Sequence, residues 1–442
     1  MFAAVALSLL VVPASAGALF GRNVTVAMVA NEFMDARIGR MGGFGFSTAM
    51  VGEIFRRRTE LGVSVLFVFA EPTARTAGRF TTDETIVHDW PLINMITTKV
   101  TANRTKRSAS WASAYLRAAH VDLFLLVDWR DDYARALAAL PRTPVILWAR
   151  DPRTQQQRAN IEGIRMPGRS QQPGGLRTPS ARGAVNVFRA LGPSKVAIGM
   201  TWGAALGDRI DEAYAISSSS NRVRAFELPN SIPFCSSAND ERTYKLPGEE
   251  SASPRVVFLA RLDPYKRPWL LVDLARMFPS VRFAVLGQSH FRGSGSFTPP
   301  PGSSVPNLEF LGHVQGREQK EAMLRSAWFV VNLSAHEGVA VSWLEALACR
   351  TPILAMVNPG GLVSSFGMFT GEFPGDGTDG LGALKAGFER LLANRTLRAE
   401  LGAAGRRHVR ATHTEELFLR SFRNIAVHIG VSPKKSDSSE PV

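Results

Sequence analysis

Two cations and two acids in the second half of the chain have the types and spacing to do chemistry. Arg261 and Lys266 bound the stretch Arg261-Leu-Asp-Pro-Tyr-Lys266, directly after an apolar run and at the start of a helical pattern. A helix N-terminus favours phosphate through its free N–H groups and its dipole. A forked guanidinium and a point-charge ammonium at the same place make an anion cradle. The other reading of this stretch is an ordinary solvated helix start.

Glu337 and Glu345 belong to Ser334-Ala-His-Glu337-Gly-Val-Ala-Val-Ser-Trp-Leu-Glu345. Glu337 falls in the turn before a helix, and Gly338 lets a ligand approach the backbone closely. The amides from Gly338 through Val339 and Ala340 to Val341 are free donors in a first helical turn. Glu345 lies inside the helix among Trp343, Leu344, Ala346 and Leu347, where an unpaired carboxylate is costly. A capping acid plus a surface glutamate is the alternative. Eight helical residues span about 12 Å, whereas glycoside-hydrolase carboxylates stand roughly 5–9.5 Å apart. The spacing suits two grips on one extended ligand. A third element, Met41-Gly-Gly-Phe-Gly45, is a glycine-rich strand-to-helix loop of the phosphate-approach kind. It lacks the lysine of a Walker loop, and a tight turn without a ligand fits it equally well.

The elements that must hold these groups read as short apolar runs alternating with helical segments. Strands are expected at Val24–Ala30, Val63–Phe69, Asp122–Val127, Val145–Ala149 and Val196–Gly199. A second set is expected at Arg255–Ala260, Val281–Leu286, Leu308–Leu311, Phe329–Leu333 and Pro352–Ala355. Helices are expected at Ser47–Arg58, Ser108–Ala119, Arg267–Met277, Arg317–Arg325, Val341–Ala348, Gly380–Leu392, Thr396–Val409 and Glu415–Val427. This βαβ rhythm implies parallel sheets covered by helices. Two breaks interrupt it: an Arg-, Gln- and Gly-rich stretch, Arg153–Arg182, read as a long loop, and Pro233–Pro254, read as a linker. The domain reading is a targeting segment 1–18, an N-terminal Rossmann-like domain 19–235, a linker 236–254 and a second Rossmann-like domain 255–412. A C-terminal helix 413–430 and a polar tail 431–442 follow. Two such α/β domains facing each other would make a cleft beyond the carboxyl ends of their strands.

Composition bounds the rest. The chain has 442 residues, a formal charge of +14, 45% hydrophobic residues and two cysteines, Cys235 and Cys349. That fits two or three globular domains and excludes wholesale disorder, a disulfide framework and a cysteine-based zinc site. The cysteines show no spacing that carries chemistry. The charge invites an anionic partner, but no zinc finger, basic helix or aromatic-basic ribonucleoprotein stretch is present, which argues against nucleic acid. The histidines show no metal spacing, and Arg130-Asp-Asp132 reads as a helix start. The run Phe2–Val12, followed by Pro13 and Ala14-Ser15-Ala16, reads as a signal or organelle segment, with a buried strand of a cytoplasmic protein as the alternative. Sequons stand at Asn23, Asn103, Asn332 and Asn394, with Asn332 expected in a buried strand.

The stretches VFLARLDPYKRPWLLVDL, NLEFLGHV and NLSAHEGVAVSWLEALACRTPILA resemble the retaining family-4 glycosyltransferases of GT-B fold. Glu337 and Glu345 match that family's E-x7-E motif. Leu228-Pro-Asn-Ser-Ile232, Pro359-Gly-Gly-Leu362, GDGTDGLGALKAGFERLLAN and RAELGAAGRRHV extend the likeness, which covers about Arg255–Val427 and is fainter before it. The resemblance implies transfer of a sugar from a nucleotide-sugar donor, UDP- or GDP-linked, with retention and with neither metal nor separate cofactor. It implies that Arg261 and Lys266 bind the diphosphate and that Glu337 holds the sugar beside the amides after Gly338. Glu345 would then bond the ribose. Gly287, Gly312, His313 and Val314 would line the base, and Gly42, Gly43 and Gly45 would face the diphosphate from the other domain. The acceptor would be a glycan, a lipid or a small molecule, with a peripheral membrane-surface contact compatible with the charge. Other GT-B activities, a sugar-nucleotide epimerase or a phosphorylase, and a non-catalytic relative are the alternatives. There are departures. The usual E-G-(F/Y)-G is Glu337-Gly-Val-Ala340, and the usual glycine after the Ala-Cys pair is Arg350, which puts the helix C-cap in question. The family's acceptor-side histidine is missing from Trp148-Ala-Arg-Asp-Pro-Arg153, where Arg150 and Asp151 are the acceptor-site candidates and a loop salt bridge is the alternative.

Overall fold

A computed structural model describes residues 18–32, 42–69, 85–87, 90–94, 116–129, 133–167, 196–214, 223–233, 250–289, 297–299, 304–314 and 316–431. Residues 1–17 of the targeting segment, Asn103, Arg130-Asp-Asp132, residues 168–182, Cys235, residues 236–249, His290 and residues 432–442 lie outside them.

The first sheet has eight strands: β1 (Val24–Ala30), β2 (Val63–Phe69), β3 (Thr85–Val87), β4 (Trp90–Asn94), β5 (Leu123–Val127), β6 (Val145–Ala149), β7 (Val196–Met200) and β8 (Arg224–Glu227). Their order is β3-β4-β2-β1-β5-β6-β7-β8, parallel throughout except for β3 against β4. The second sheet has β9 (Arg255–Leu259), β10 (Arg282–Leu286), β11 (Leu308–Gly312), β12 (Phe329–Asn332), β13 (Ile353–Ala355) and β14 (Gly367–Phe369). It runs β11-β10-β9-β12-β13-β14, all parallel. The chemistry of the strands explains the pattern. Runs such as Leu123–Val127 and Phe329–Asn332 are buried at every residue, as both-face coverage by helices demands. In each sheet the winding direction reverses once, next to β1 and next to β9, and those reversals open crevices at the carboxyl edges.

Helices α1 (Gly43–Arg57), α2 (Ala134–Ala139), α3 (Gln155–Glu162) and α4 (Gly203–Tyr214) belong to the first half. Helices α5 (Pro268–Met277), α6 (Arg317–Ser326), α7 (Val341–Ala348), α8 (Leu362–Phe366), α9 (Leu381–Ala393) and α10 (Arg395–Thr412) belong to the second. The last helix, α11 (Glu415–His428), returns to the first domain. Its Phe418, Phe422 and Ile425 recur on one helical face and enter the core of the first sheet. Phe422 meets Phe20 edge-on at 6.2 Å, and Phe418 lies 5.7 Å from Trp148. Each phenylalanine buried this way contributes about 1.5–3 kcal/mol. Another core joins both domains, combining Phe124 and Leu147 with Val341, Trp343 and Leu344.

Several expectations change. The stretch read as a loop from Arg153 begins as a helix, because Thr154 and Gln157 form a capping box that satisfies its first amides. Helix α1 starts at Gly43 instead of Ser47, so Gly43 and Gly45 are helical. At the end of α7, Arg350 itself takes the left-handed conformation, with φ 58°, and its N–H donates to Leu347 O at 2.9 Å. The cap is therefore made without glycine, at a backbone cost of about 1–2 kcal/mol. Cys349 also carries chemistry: it is disulfide-bonded and 4% exposed.

Candidate active site

Parallel strands deliver all their carboxyl ends to one edge, and both sheets turn that edge toward a shared cleft. The first domain contributes Glu32 after β1, Gly42 and Gly43 at the start of α1, and Arg150, Asp151 and Arg153 after β6. The second contributes Arg261 and Lys266 after β9, Gly287 after β10, His313 and Val314 after β11, and Glu337 to Val341 after β12. The cavity they line measures about 230 Å³.

Lys266 and Glu337 form a buried ion pair through Nζ and Oε1. Ser334 Oγ donates to the same carboxylate oxygen at 2.7 Å, and Asn332 Nδ2 donates to it at 3.0 Å. Burial pushes the Glu337 carboxyl up, but Lys266 and these two donors more than offset it, so its pKa falls below the ordinary value. The Lys266 ammonium is likewise opposed by burial and held above its ordinary value by Glu337. Arg209 of α4 donates from Nη1 to the Glu337 carbonyl at 2.7 Å, so the first domain fixes the backbone of this turn as well.

Arg261 reaches across the cleft. Its Nη1 lies 2.9 Å from Glu32 Oε1, its Nε lies 3.1 Å from Asp263 Oδ2, and it also donates to the Tyr265 hydroxyl. A Cβ on Gly42 would sit 2.4 Å from Glu32 Oε2, so the carboxylate lies against the backbone at the α1 N-terminus. Gly338 shows the same economy of space. A Cβ there would stand 2.2 Å from the Arg150 carbonyl oxygen, so only glycine lets the two loops meet.

Further along the cleft Glu345 pairs with Lys320 of α6, whose ammonium lies 4.9 Å from the centre of the Phe46 ring. Where the two domains meet, His336 Nε2 lies 2.7 Å from Asp151 Oδ1, and Arg153 Nε donates to Asp151 Oδ2 at 3.0 Å. Burial raises the Asp151 carboxyl, yet Arg153 and His336 outweigh it and hold it well below the usual carboxylate range. Burial keeps His336 below its ordinary pKa despite Asp151. Close by, Asp128 sits at φ 61° and accepts from the Tyr214 hydroxyl at 2.8 Å. Burial, and then the charge of Asp151, push its pKa up to about 6.

The residues expected from the sequence are thus brought together, with two exceptions. Gly45 is buried within the first turn of α1, and Gly312, at φ 68°, ends β11 and accepts from the Gly287 N–H at 2.7 Å. Neither lines the cleft. Arg150 and Asp151 do line it, and the loop salt bridge considered for them is real for Asp151 with Arg153. The sequence reading missed Glu32, Phe46, Tyr265 and Lys320. Tyr265 lies inside the Arg261–Lys266 stretch, and Glu32 stands two residues past the end of β1; both positions signal a cleft wall. Lys320 carries no such signal, being one polar residue on an exposed-looking helix.

Residues 241–408 match the glycosyl transferases group 1 family. That stretch supplies Arg261, Lys266, Glu337 and Glu345 to the cleft. No curated protein matches the chain. Among solved structures, the chain is similar to sucrose-phosphate synthase from Thermosynechococcus elongatus, with a TM-score of 0.63 at 15% identity over 92% of this chain and 99% of that one. It is also similar to Anabaena HepE in complex with UDP-glucose, with a TM-score of 0.60 at 14% identity over 92% and 100%. WaaG, a glycosyltransferase involved in lipopolysaccharide biosynthesis, gives 0.57 at 14% identity over 92% and 100%. At these identities the likeness is one of fold, and it extends the GT-B architecture from the matched stretch over the first domain as well.

Proposed function

We propose that this protein moves a sugar from a nucleotide-sugar donor to an acceptor bound in the cleft, with retention of anomeric configuration and without a metal ion. The observation that carries this reading is the convergence of Arg261, Lys266, Glu337 and Glu345 of the matched stretch opposite the glycine-started helix α1. The donor diphosphate lies between Arg261, Lys266 and the α1 N-terminus. Glu337 holds the sugar near its reacting carbon, and Glu345 bonds the ribose next to Lys320. As the bond between the sugar C1 and the phosphate oxygen breaks, negative charge grows on the leaving diphosphate. Fixed cations and helix-end amides stabilise that charge without reorganising. The acceptor hydroxyl attacks C1 from the face the phosphate leaves, and its proton passes to the departing phosphate oxygen. No protein nucleophile is required. The similar HepE structure is a complex with UDP-glucose, which supports a UDP-linked donor here.

The protein acts in an oxidising compartment on this reading. The disulfide at Cys349 supports it, since such bonds persist in secretory settings. So does the apolar N-terminal segment. Among the described residues no helix is long and apolar enough to cross a membrane. Asn332 is 2% exposed and bonded to Glu337, so that sequon takes no glycan.

Calorimetry with UDP and GDP tests the donor site. Arg261→Ala or Lys266→Ala should weaken the preferred nucleotide by about tenfold or more. Unchanged affinity for both nucleotides would remove the assignment. Transfer should also persist in EDTA, and its loss there would contradict the metal-free step.

A further inference from the structure

Among the described residues, the charged groups of the cleft wall leave one cation over. Lys266 is paired with Glu337, Arg261 with Glu32, Lys320 with Glu345 and Arg153 with Asp151. Arg150 enters no such pair among the described residues. It is 3% exposed, and its Nε and Nη1 have no hydrogen-bond partner among the described residues. Its guanidinium lies 4.6 Å from the centre of the Trp148 ring and 5.5 Å from that of Phe44. Both rings are rigid parts of the fold, one on β6 and one in the first turn of α1. Aromatic faces hold a guanidinium in place but satisfy none of its N–H donors. A buried charge without a partner is destabilising, and burial drags its pKa down to about 10 against the fields of Asp128, Glu32 and Asp151. Such an arrangement persists where the missing partner arrives with a ligand. Arg150 lines the cavity, and its carbonyl abuts Gly338, next to Glu337.

We infer that Arg150 is an oxyanion-binding residue of the cleft, clamped by Trp148 and Phe44 to take a phosphate or carboxylate of a substrate. This rests on the cleft being the site of sugar transfer. The oxyanion has two sources, the donor diphosphate or an anionic group on the acceptor. A planar fork suits either, since it bonds two oxygens at once.

Arg150→Gln tests this in the full chain. Two titrations are compared with wild type: UDP into the free protein, and inorganic phosphate into the UDP-saturated protein. A drop of about tenfold in UDP affinity assigns the oxyanion to the donor. Intact UDP affinity with loss of the phosphate binding seen in wild type assigns it to the acceptor. If neither titration changes, or if the wild type takes phosphate no better than the variant and UDP affinity is equal, Arg150 is structural and the inference fails. Removal of an unpaired buried charge should leave the melting temperature equal or raised. Should the glutamine variant not fold, Arg150→Lys keeps the charge and removes the fork. It should lose part of the same affinity, and wild-type binding in it would overturn the assignment. Where wild-type protein binds neither UDP nor GDP, the donor reading fails on its own, and phosphate titrated into the free protein still decides whether Arg150 binds an oxyanion.

Discussion

Arg261 Nη1 and Glu32 Oε1 stand 2.9 Å apart, joining the two domains across the cleft where a donor diphosphate would lie. The Glu32 carboxylate rests against Gly42 at the α1 N-terminus, so it already occupies the kind of place that favours phosphate. A diphosphate must compete with it for Arg261. Glu32→Gln should therefore tighten UDP binding by roughly tenfold, the effect of removing about 1.4 kcal/mol of like-charge repulsion. Calorimetry reads this directly. Weaker binding in the variant would mean that Glu32 positions Arg261 and does not oppose the ligand.

Lys266 and Glu337 behave as one buried unit, so single and double substitutions should differ in kind. Lys266→Met strands the Glu337 carboxylate beside Ser334 and Asn332, at a cost of about 3–5 kcal/mol. The double variant, Lys266→Met with Glu337→Gln, strands no charge and should recover at least half of that loss. Urea denaturation of the four proteins gives the coupling. Additive losses would show that the pair contributes nothing as a pair. Transfer should be abolished in all three variants.

Gly338→Ala places a methyl group 2.2 Å from the Arg150 carbonyl oxygen. Backbone cannot yield that far, so the two domains must part at this point. The expected outcome is a loss of transfer of about 10²-fold, as follows from a misplacement near 1 Å. Each domain keeps its own core, so circular dichroism should match wild type. Full activity in the alanine variant would mean that the closed arrangement is not the reactive one.

The sequence made the second domain more legible than the first, for physical reasons. In β12 and α7 every signal coincides: a strand that opens on an apolar run, a glycine at the close approach, and an acid that an apolar helix would not otherwise carry. The short strands Thr85–Val87 and Arg224–Glu227 lack such a signal, because edge strands bury too little to need an apolar run. Helix α3 was hidden by its polar composition, although Thr154 and Gln157 had the spacing of a capping box. Within the site, Arg261, Lys266 and Glu337 were readable because each stands at a strand-to-helix junction. Lys320 became visible only through its partner Glu345, which stands on another helix.

Asp128 gives the molecule a pH dependence opposite in sign to that of its neighbours. Its folded pKa is raised from 3.8 to about 6 by burial and by Asp151, so the folded state binds the proton more tightly than the unfolded chain. Stability from this group is full below about pH 4 and falls as pH rises through about 6, levelling off above it. The loss has an upper bound of about 3 kcal/mol, reduced because the carboxyl is only partly buried. Asp151 and Glu337 are depressed, so their contribution is present above about pH 4 and lost only as pH falls further. The Asp128 window, from 3.8 to about 6, lies mostly above theirs, and a substitution at Asp128 isolates it. Asp128→Asn keeps an acceptor for the Tyr214 hydroxyl and tolerates the left-handed backbone at φ 61°. It should raise stability at pH 7 by about 1–3 kcal/mol, leave stability at pH 4 nearly unchanged, and flatten the slope between them. Urea titrations at pH 4, 5, 6 and 7 check this. An equal gain at every pH would show that the substitution acts by packing and not by titration of the carboxyl.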